Sequence, residues 1–197
     1  MDIESVSKIL NEQYGTFYKS LMEISKDTSS CAEGVPLCGS SRCCYCYDDI
    51  IINDFKSKDF ISSVDAVSVC GEYVNFIEFK NGKITATDIR YKITEGMYYF
   101  ERFILQGNFL SANNIKSRFI LVYNPQTCRG GKNTYRDTIN NNIMTLSGND
   151  LLDRKRFLKT SLSKIWDYFD ESISLPVQVF EKELDQYVCC SEHVKEN

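Results

Sequence analysis

The sequence predicts an α/β fold, a mixed central sheet flanked by helices, on three observations. Two short runs rich in Val, Ile and Phe face each other across Gly71-Glu72; a continuous apolar run occupies residues 118–123; and segments with apolar residues three and four apart lie on either side of these strands. Taken in order, the elements read helix, strand, hairpin, helix, strand, with a C-terminal helical extension. At 197 residues and 43% hydrophobic content the chain can bury a full core in a single domain. The core is expected over about 1–124 and the loop and extension over about 125–197.

The first element is an amphipathic helix of about five turns, carried by Val6, Ile9, Leu10, Tyr14, Phe17, Leu21 and Ile24. Its polar face holds Glu4, Glu12 and Glu23. Residues 27–42, rich in Ser, Gly, Cys and Pro, read as a loop. Tyr45, Tyr47, Ile50, Ile51 and Ile52 then suggest a first strand over residues 43–53, followed by a turn to residue 59.

A Gly followed by almost any residue is what a two-residue type II′ hairpin turn requires, so residues 60–80 read as an antiparallel hairpin. If Gly71 and Glu72 form the turn, Cys70 pairs with Tyr73 and Asp65 falls directly opposite Glu78. Lys80 then shares the face of Glu78 and lies across from Ser63, while Val67, Val69, Val74 and Phe76 continue that face toward the turn. Two carboxylates whose Cβ atoms are roughly 5 Å apart repel unless something neutralises them, and a divalent cation would do so. Mg2+ is held by one or two carboxylates plus waters and substrate phosphate, and a neighbouring Lys can orient a water or offset phosphate charge. The pattern points to phosphodiester hydrolysis.

At these residues the sequence resembles the PD-(D/E)XK, or restriction-endonuclease-like, nuclease superfamily. Its motif, an acidic residue on one strand and then Glu/Asp-x-Lys on the next, is matched by Asp65 and by Glu78-Phe79-Lys80; Val64 stands where the motif has Pro. The stretch IEFKNGKI, residues 77–84, also resembles small bacterial members in which a helix follows at once. The resemblance covers residues 48–123 and implies an αβββαβ core. It also implies Mg2+ or Mn2+ held by Asp65, Glu78 and the Phe79 backbone carbonyl, with Lys80 orienting the attacking water. Members often add a Glu from the first helix, for which Glu12 is the candidate, and a Lys or Gln from the helix after the motif. For that second position Lys92 and Glu95 are candidates, and Arg90 is a third. Small stand-alone nucleases of this kind often serve defence, mobile elements or repair.

After Lys80, Asn81-Gly82 signals a turn, and residues 84–106 read as a helix with Ile89, Ile93, Met97, Phe100, Phe103 and Ile104 inward. Gly96 costs about 1 kcal/mol relative to Ala in a helix interior, which points to a close approach of neighbouring backbone. The run RFILVY suits a buried strand beside the hairpin. Residues 126–150 are polar and turn-rich, a loop in which Arg129, Lys132 and Arg136 could contact a nucleic-acid backbone; the spacing of Arg129-Gly130-Gly131-Lys132 excludes a nucleotide-binding P-loop. A second helix is predicted over residues 151–169, a short edge strand over residues 176–180 and a short helix to about residue 188.

The net charge of −4 argues little for a nucleic-acid partner, but residues 111–165 carry ten Lys/Arg against three Asp, a positive region on an otherwise acidic chain. DNA is the expected partner and RNA the alternative; a protein partner or a second copy of the chain would suit the acidic remainder. Residues 1–10 show neither a basic start nor an apolar signal core, and no long apolar run exists, so a cytoplasmic protein without a membrane span is expected. Nine Cys with a single His argue against a secreted disulfide framework, and the cysteines then read as free, partly buried thiols. Cys43-x2-Cys46 is the half-site of an alternative structural zinc, with Cys189, Cys190 and His193 as the other half. Ser-His-Asp and Cys-His catalysis are excluded, because the single His lies in a terminal tail. A metal-dependent nuclease is the first functional reading, and a catalytically silent nuclease-fold subunit that binds protein or nucleic acid is the second.

Overall fold

The computed structural model describes residues 1–26, 34–56, 61–82, 86–126 and 169–189. Its strands are β1 (Tyr18–Ser20), β2 (Cys43–Cys46), β3 (Ala66–Cys70), β4 (Tyr73–Lys80), β5 (Lys116–Tyr123) and β6 (Glu171–Pro176), joined in that order in one six-stranded sheet. The first four are antiparallel neighbours, and β5 and β6 continue the sheet parallel to β4. The helices are α1 (Ile3–Tyr14), α2 (Leu21–Ile24), α3 (Tyr47–Phe55), α4 (Ala86–Tyr99) and α5 (Val177–Lys182).

Both faces of the sheet are covered, which is why β4 and β5 read as nearly unbroken apolar runs. Val74 and Phe76 pack with Val6, Leu10, Tyr47 and Ile93 on the face of α1, α3 and α4, whereas Ile77 and Phe79 pack with Leu175, Phe180 and Tyr187 on the other. Each such side chain contributes about 1.5–3 kcal/mol of burial. Glu78 follows Phe76 in the two-residue alternation, so it lies on the helical face at the end of the apolar stripe.

The hairpin has the expected register. Cys70 pairs with Tyr73 and Ala66 with Ile77, and continuing one pair further sets Asp65 across from Glu78. Gly71 has φ +59° and Glu72 is not among the residues with positive φ, the pattern of a type II′ turn. The buried strand over 118–123 is also present, as β5. In α4, Ile89, Ile93 and Met97 point inward as expected, as do Phe100 and Ile104 in the π-helical turn at its end, whereas Phe103 is half exposed. The extra residue of a π turn rotates the side chains after it, and this takes Phe103 off the inward stripe.

Five expectations are corrected. The long first helix stops at Tyr14; after Gly15 the chain forms β1, and Ser20 with Glu23 makes a capping box that opens the short α2, whose Leu21 joins the opposite core. The strand predicted over 43–53 is β2 for four residues and α3 thereafter: Tyr47, Ile50 and Ile51 are buried at helical spacing, and Asp48 and Asp49 occupy the first turn where the helix dipole favours acids. The αβββαβ order is therefore interrupted by α3 between β2 and the hairpin, and β1 and α2 are inserted before β2. The edge strand ends at Pro176 instead of starting there, since Pro lacks the N–H to continue a ladder and here precedes α5. Residues 169–189 are not an appendage either, because β6 pairs with β5, Tyr187 and Val188 are buried, and a disulfide joins Cys189 to Cys70. Free thiols are found at Cys38, Cys44 and Cys46, but not at this pair. The predicted second helix lies outside the described residues apart from Phe169.

Candidate functional site

The open end of the hairpin, opposite the turn, gathers charged groups. Asp65 sits immediately before β3, where its carbonyl accepts from Tyr47 N–H at the start of α3 (3.0 Å) and its Oδ2 accepts from Phe79 N–H (2.6 Å). Backbone groups of two elements thus hold this residue, α3 at its carbonyl and β4 at its carboxylate. Glu78 is fully buried below it on β4. Lys80 reaches Glu78 Oε1 at 2.8 Å, while Lys92, projecting from α4, lies 2.9 Å from each Glu78 oxygen and 3.3 Å from Asp65 Oδ1. Side-chain exposure is 19% for Asp65, 22% for Lys80 and 23% for Lys92. Glu78 is therefore the floor of a site whose rim is open to solvent.

The position of Lys92 reflects how α4 docks. A Cβ at Gly96 would meet Tyr47 Cε1 at 3.5 Å, Ser63 Cα at 3.6 Å and Ser62 O at 3.8 Å, so the helix runs close against the segment leading into β3. Tyr47 Oη donates to Gly96 O at 2.7 Å, and Ser62 N–H donates to Glu95 at 2.6 Å. Lys92, one turn before Gly96 on the same side, is carried over the two carboxylates.

Burial, the largest influence, together with the charge of Asp65 pushes the Glu78 carboxyl up to about 7, against the opposing pull of Lys92 and Lys80. Burial likewise raises Asp65; Lys92 opposes this and the charge of Asp48 reinforces it. The Lys92 ammonium is lowered by burial but held well above its ordinary value by Asp65 and Glu78, with Asp48 adding to the effect. Asp48, in the first turn of α3, is thus a third carboxylate close enough to act on both; it accepts from Ser63 Oγ. It was missed in the sequence because residues 43–53 read as a strand; an Asp pair just before Ile50-Ile51 is the helix-start signal that would have found it.

Not every candidate reaches the site. Glu12 is 64% exposed and pairs with Lys8 at 3.8 Å, because on α1 its position faces solvent when Val6, Leu10 and Tyr14 face the core. Glu95 is engaged with the Ser62 backbone and Arg90 is exposed. Arg129, Lys132 and Arg136 lie outside the described residues, as does most of the basic region. Cys43 and Cys46 are three apart on one strand, so their side chains fall on opposite faces and cannot form a zinc knuckle. Among the described residues no helix is long and apolar enough to cross a membrane.

The site has hard oxygen donors of the kind Mg2+ and Mn2+ prefer. Glu78 Oε1 faces both ammonium groups, Lys80 at 2.8 Å and Lys92 at 2.9 Å, and has no fixed backbone or neutral side-chain donor, so its partners sit on stems that can give way to an ion. That fits a small cation bound by two carboxylates with waters; among the described residues no group of three or more His, Cys, Asp and Glu is placed to hold a metal. The expected repulsion between Asp65 and Glu78 is also relieved from within, since two lysines balance two carboxylates. Comparison with protein-family models, curated proteins and solved structures returned no match for this chain.

Proposed function

We propose that the protein is a metal-dependent nuclease that hydrolyses phosphodiester bonds of DNA, in the manner of the PD-(D/E)XK superfamily that residues 65–80 resemble. The observation that carries the reading is the convergence of Asp65, Glu78, Lys80 and Lys92 at one solvent-accessible end of the hairpin. Asp65 and Glu78 would hold Mg2+ or Mn2+, with the Phe79 carbonyl as the further ligand that the resemblance implies. The ion supplies Lewis-acid chemistry, lowering the pKa of a water and offsetting charge on the phosphate. Phe79 N–H keeps Asp65 oriented, and the buried floor keeps Glu78 in place. Lys80 would turn its ammonium to the attacking water and to the non-bridging phosphate oxygens, where charge develops. A cytoplasmic setting belongs to this proposal, as do the restriction-endonuclease-like identity of the core and a role in defence against foreign DNA.

The charge balance of the cluster favours a second reading. A carboxylate pair already neutralised by Lys80 and Lys92 also suits a silent nuclease-fold subunit that binds protein or nucleic acid. Incubating plasmid and single-stranded DNA with the protein in Mg2+ or Mn2+, alongside thermal melts with and without metal, separates the two. The nuclease should cleave, lose cleavage on Lys80→Ala without losing its fold, and melt at a higher temperature with metal. A wild type that cleaves nothing and ignores both metals sinks the nuclease reading in favour of the silent subunit.

A further inference from the structure

One ammonium already touches both carboxylates that a metal ion would need. Lys92 Nζ lies 2.9 Å from each Glu78 oxygen and 3.3 Å from Asp65 Oδ1. Mg2+ draws its oxygens in to about 2.1 Å, so an ion bound by this pair and the Lys92 ammonium cannot share the position between them. Lys80 differs, for among the described residues its ionic contact is with Glu78 Oε1 alone, at 2.8 Å. The backbone of α4 is tied down through Tyr47 to Gly96 and Ser62 to Glu95, which leaves the side chain as the part that can move. Lysine carries a compact charge on a flexible four-carbon stem, and at 23% exposure this one has a way out to solvent.

We propose that Lys92 is a displaceable internal counter-ion of the carboxylate pair: a divalent cation binds Asp65 and Glu78 only as the Lys92 ammonium swings out, where it can take a phosphate oxygen of the nucleic-acid backbone. The inference rests on Asp65 and Glu78 being metal ligands. Cation binding is then an exchange. Lys92 weakens the affinity for metal, and its charge is presented to substrate only once the site is loaded.

The test is a calorimetric Mn2+ titration of the full chain and of its Lys92→Met and Lys80→Met variants. Both substitutions remove one positive charge from the cluster, but only the first clears the bridging position. Exchange predicts that Lys92→Met strengthens Mn2+ binding about tenfold and Lys80→Met distinctly less. Equal gains, or no gain for Lys92→Met while wild type binds, overturn the proposal and leave the metal reading standing. Absence of binding by all three proteins overturns both. Should Lys92→Met fail to fold, Lys92→Gln takes its place, and the wild type provides a second readout. Acylation of Lys92 by an amine-reactive ester, followed by mass spectrometry, should rise when Mn2+ is added, and unchanged labelling counts against the exchange.

Discussion

The two ends of the β3–β4 hairpin both bury polar groups, but they satisfy them in opposite ways. At the turn end, Asn75 and Ser68 donate to one backbone acceptor, Tyr187 O, at 3.0 and 2.6 Å. Arg118 lies 3.8 Å from the centroid of the Tyr73 ring and pairs with Glu171 at 2.7 Å, and the Cys70–Cys189 disulfide fastens the C-terminal segment over them. At the open end, Glu78 is as deeply buried as Asn75, yet its partners are the ammonium heads of Lys80 and Lys92. A hydrogen bond to fixed backbone is lost only by local unfolding. An ionic set on flexible stems can rearrange around an incoming ion while the fold stays closed. Under the proposed function the chemistry lies at the second kind of end, and the first holds it steady.

The largest effect that separates the two ends should come from the turn. Cys189→Ser removes a cross-link between residues 119 apart in sequence and should cost about 4 kcal/mol in denaturant unfolding. The rise in melting temperature on adding Mn2+ that the proposed function predicts should survive it. A variant that lost that response as well would show that the ends are not independent.

Next in size is the pH response of the open end. The Glu78 carboxyl stands at about 7 in the folded protein against 4.5 for the free group. Between these values the native state keeps a proton that the unfolded chain has released, so its contribution to stability is greatest below 4.5, falls as pH rises and levels off above 7. Glu78→Gln should remove this part of the slope, up to about 3 kcal/mol between pH 5 and pH 8. The raised Asp65 leaves a residual slope of the same sign. Denaturant titrations at the two pH values decide it, and an unaltered slope would mean that Glu78 is neither buried nor coupled to the charges around it.

The smallest effect tests the docking of α4. The atoms nearest a Cβ at Gly96 lie at 3.5–3.8 Å, ordinary contact distances, so Gly96→Ala should fit and gain up to about 1 kcal/mol from helix propensity. A clear fall in melting temperature would mean that the helix sits tighter than these distances allow.

Much of the site was legible because its parts are local in sequence. The turn glycine set which residues pair, so Asp65, Glu78 and Lys80 could be placed on one face before any fold was known. Gly96 marked a close approach, and Lys92 was within reach as one of three candidates on its helix. Asp48 was hidden, because Ile50, Ile51 and Ile52 suit a strand as well as a helix. Glu12 was drawn in by the resemblance alone, and on α1 the burial of Val6, Leu10 and Tyr14 turns it outward.

By itself the sequence determined the hairpin register, the buried β5 strand and the inward stripe of α4, since a two-residue turn and the periods of strand and helix act over a few residues. Only the tertiary structure decided that β6 completes the sheet, that Cys70 meets Cys189, and that Lys92 bridges two carboxylates. Each joins residues far apart along the chain or on separate elements. Local periodicity says which side of a helix or strand faces inward, but packing alone decides what it meets there.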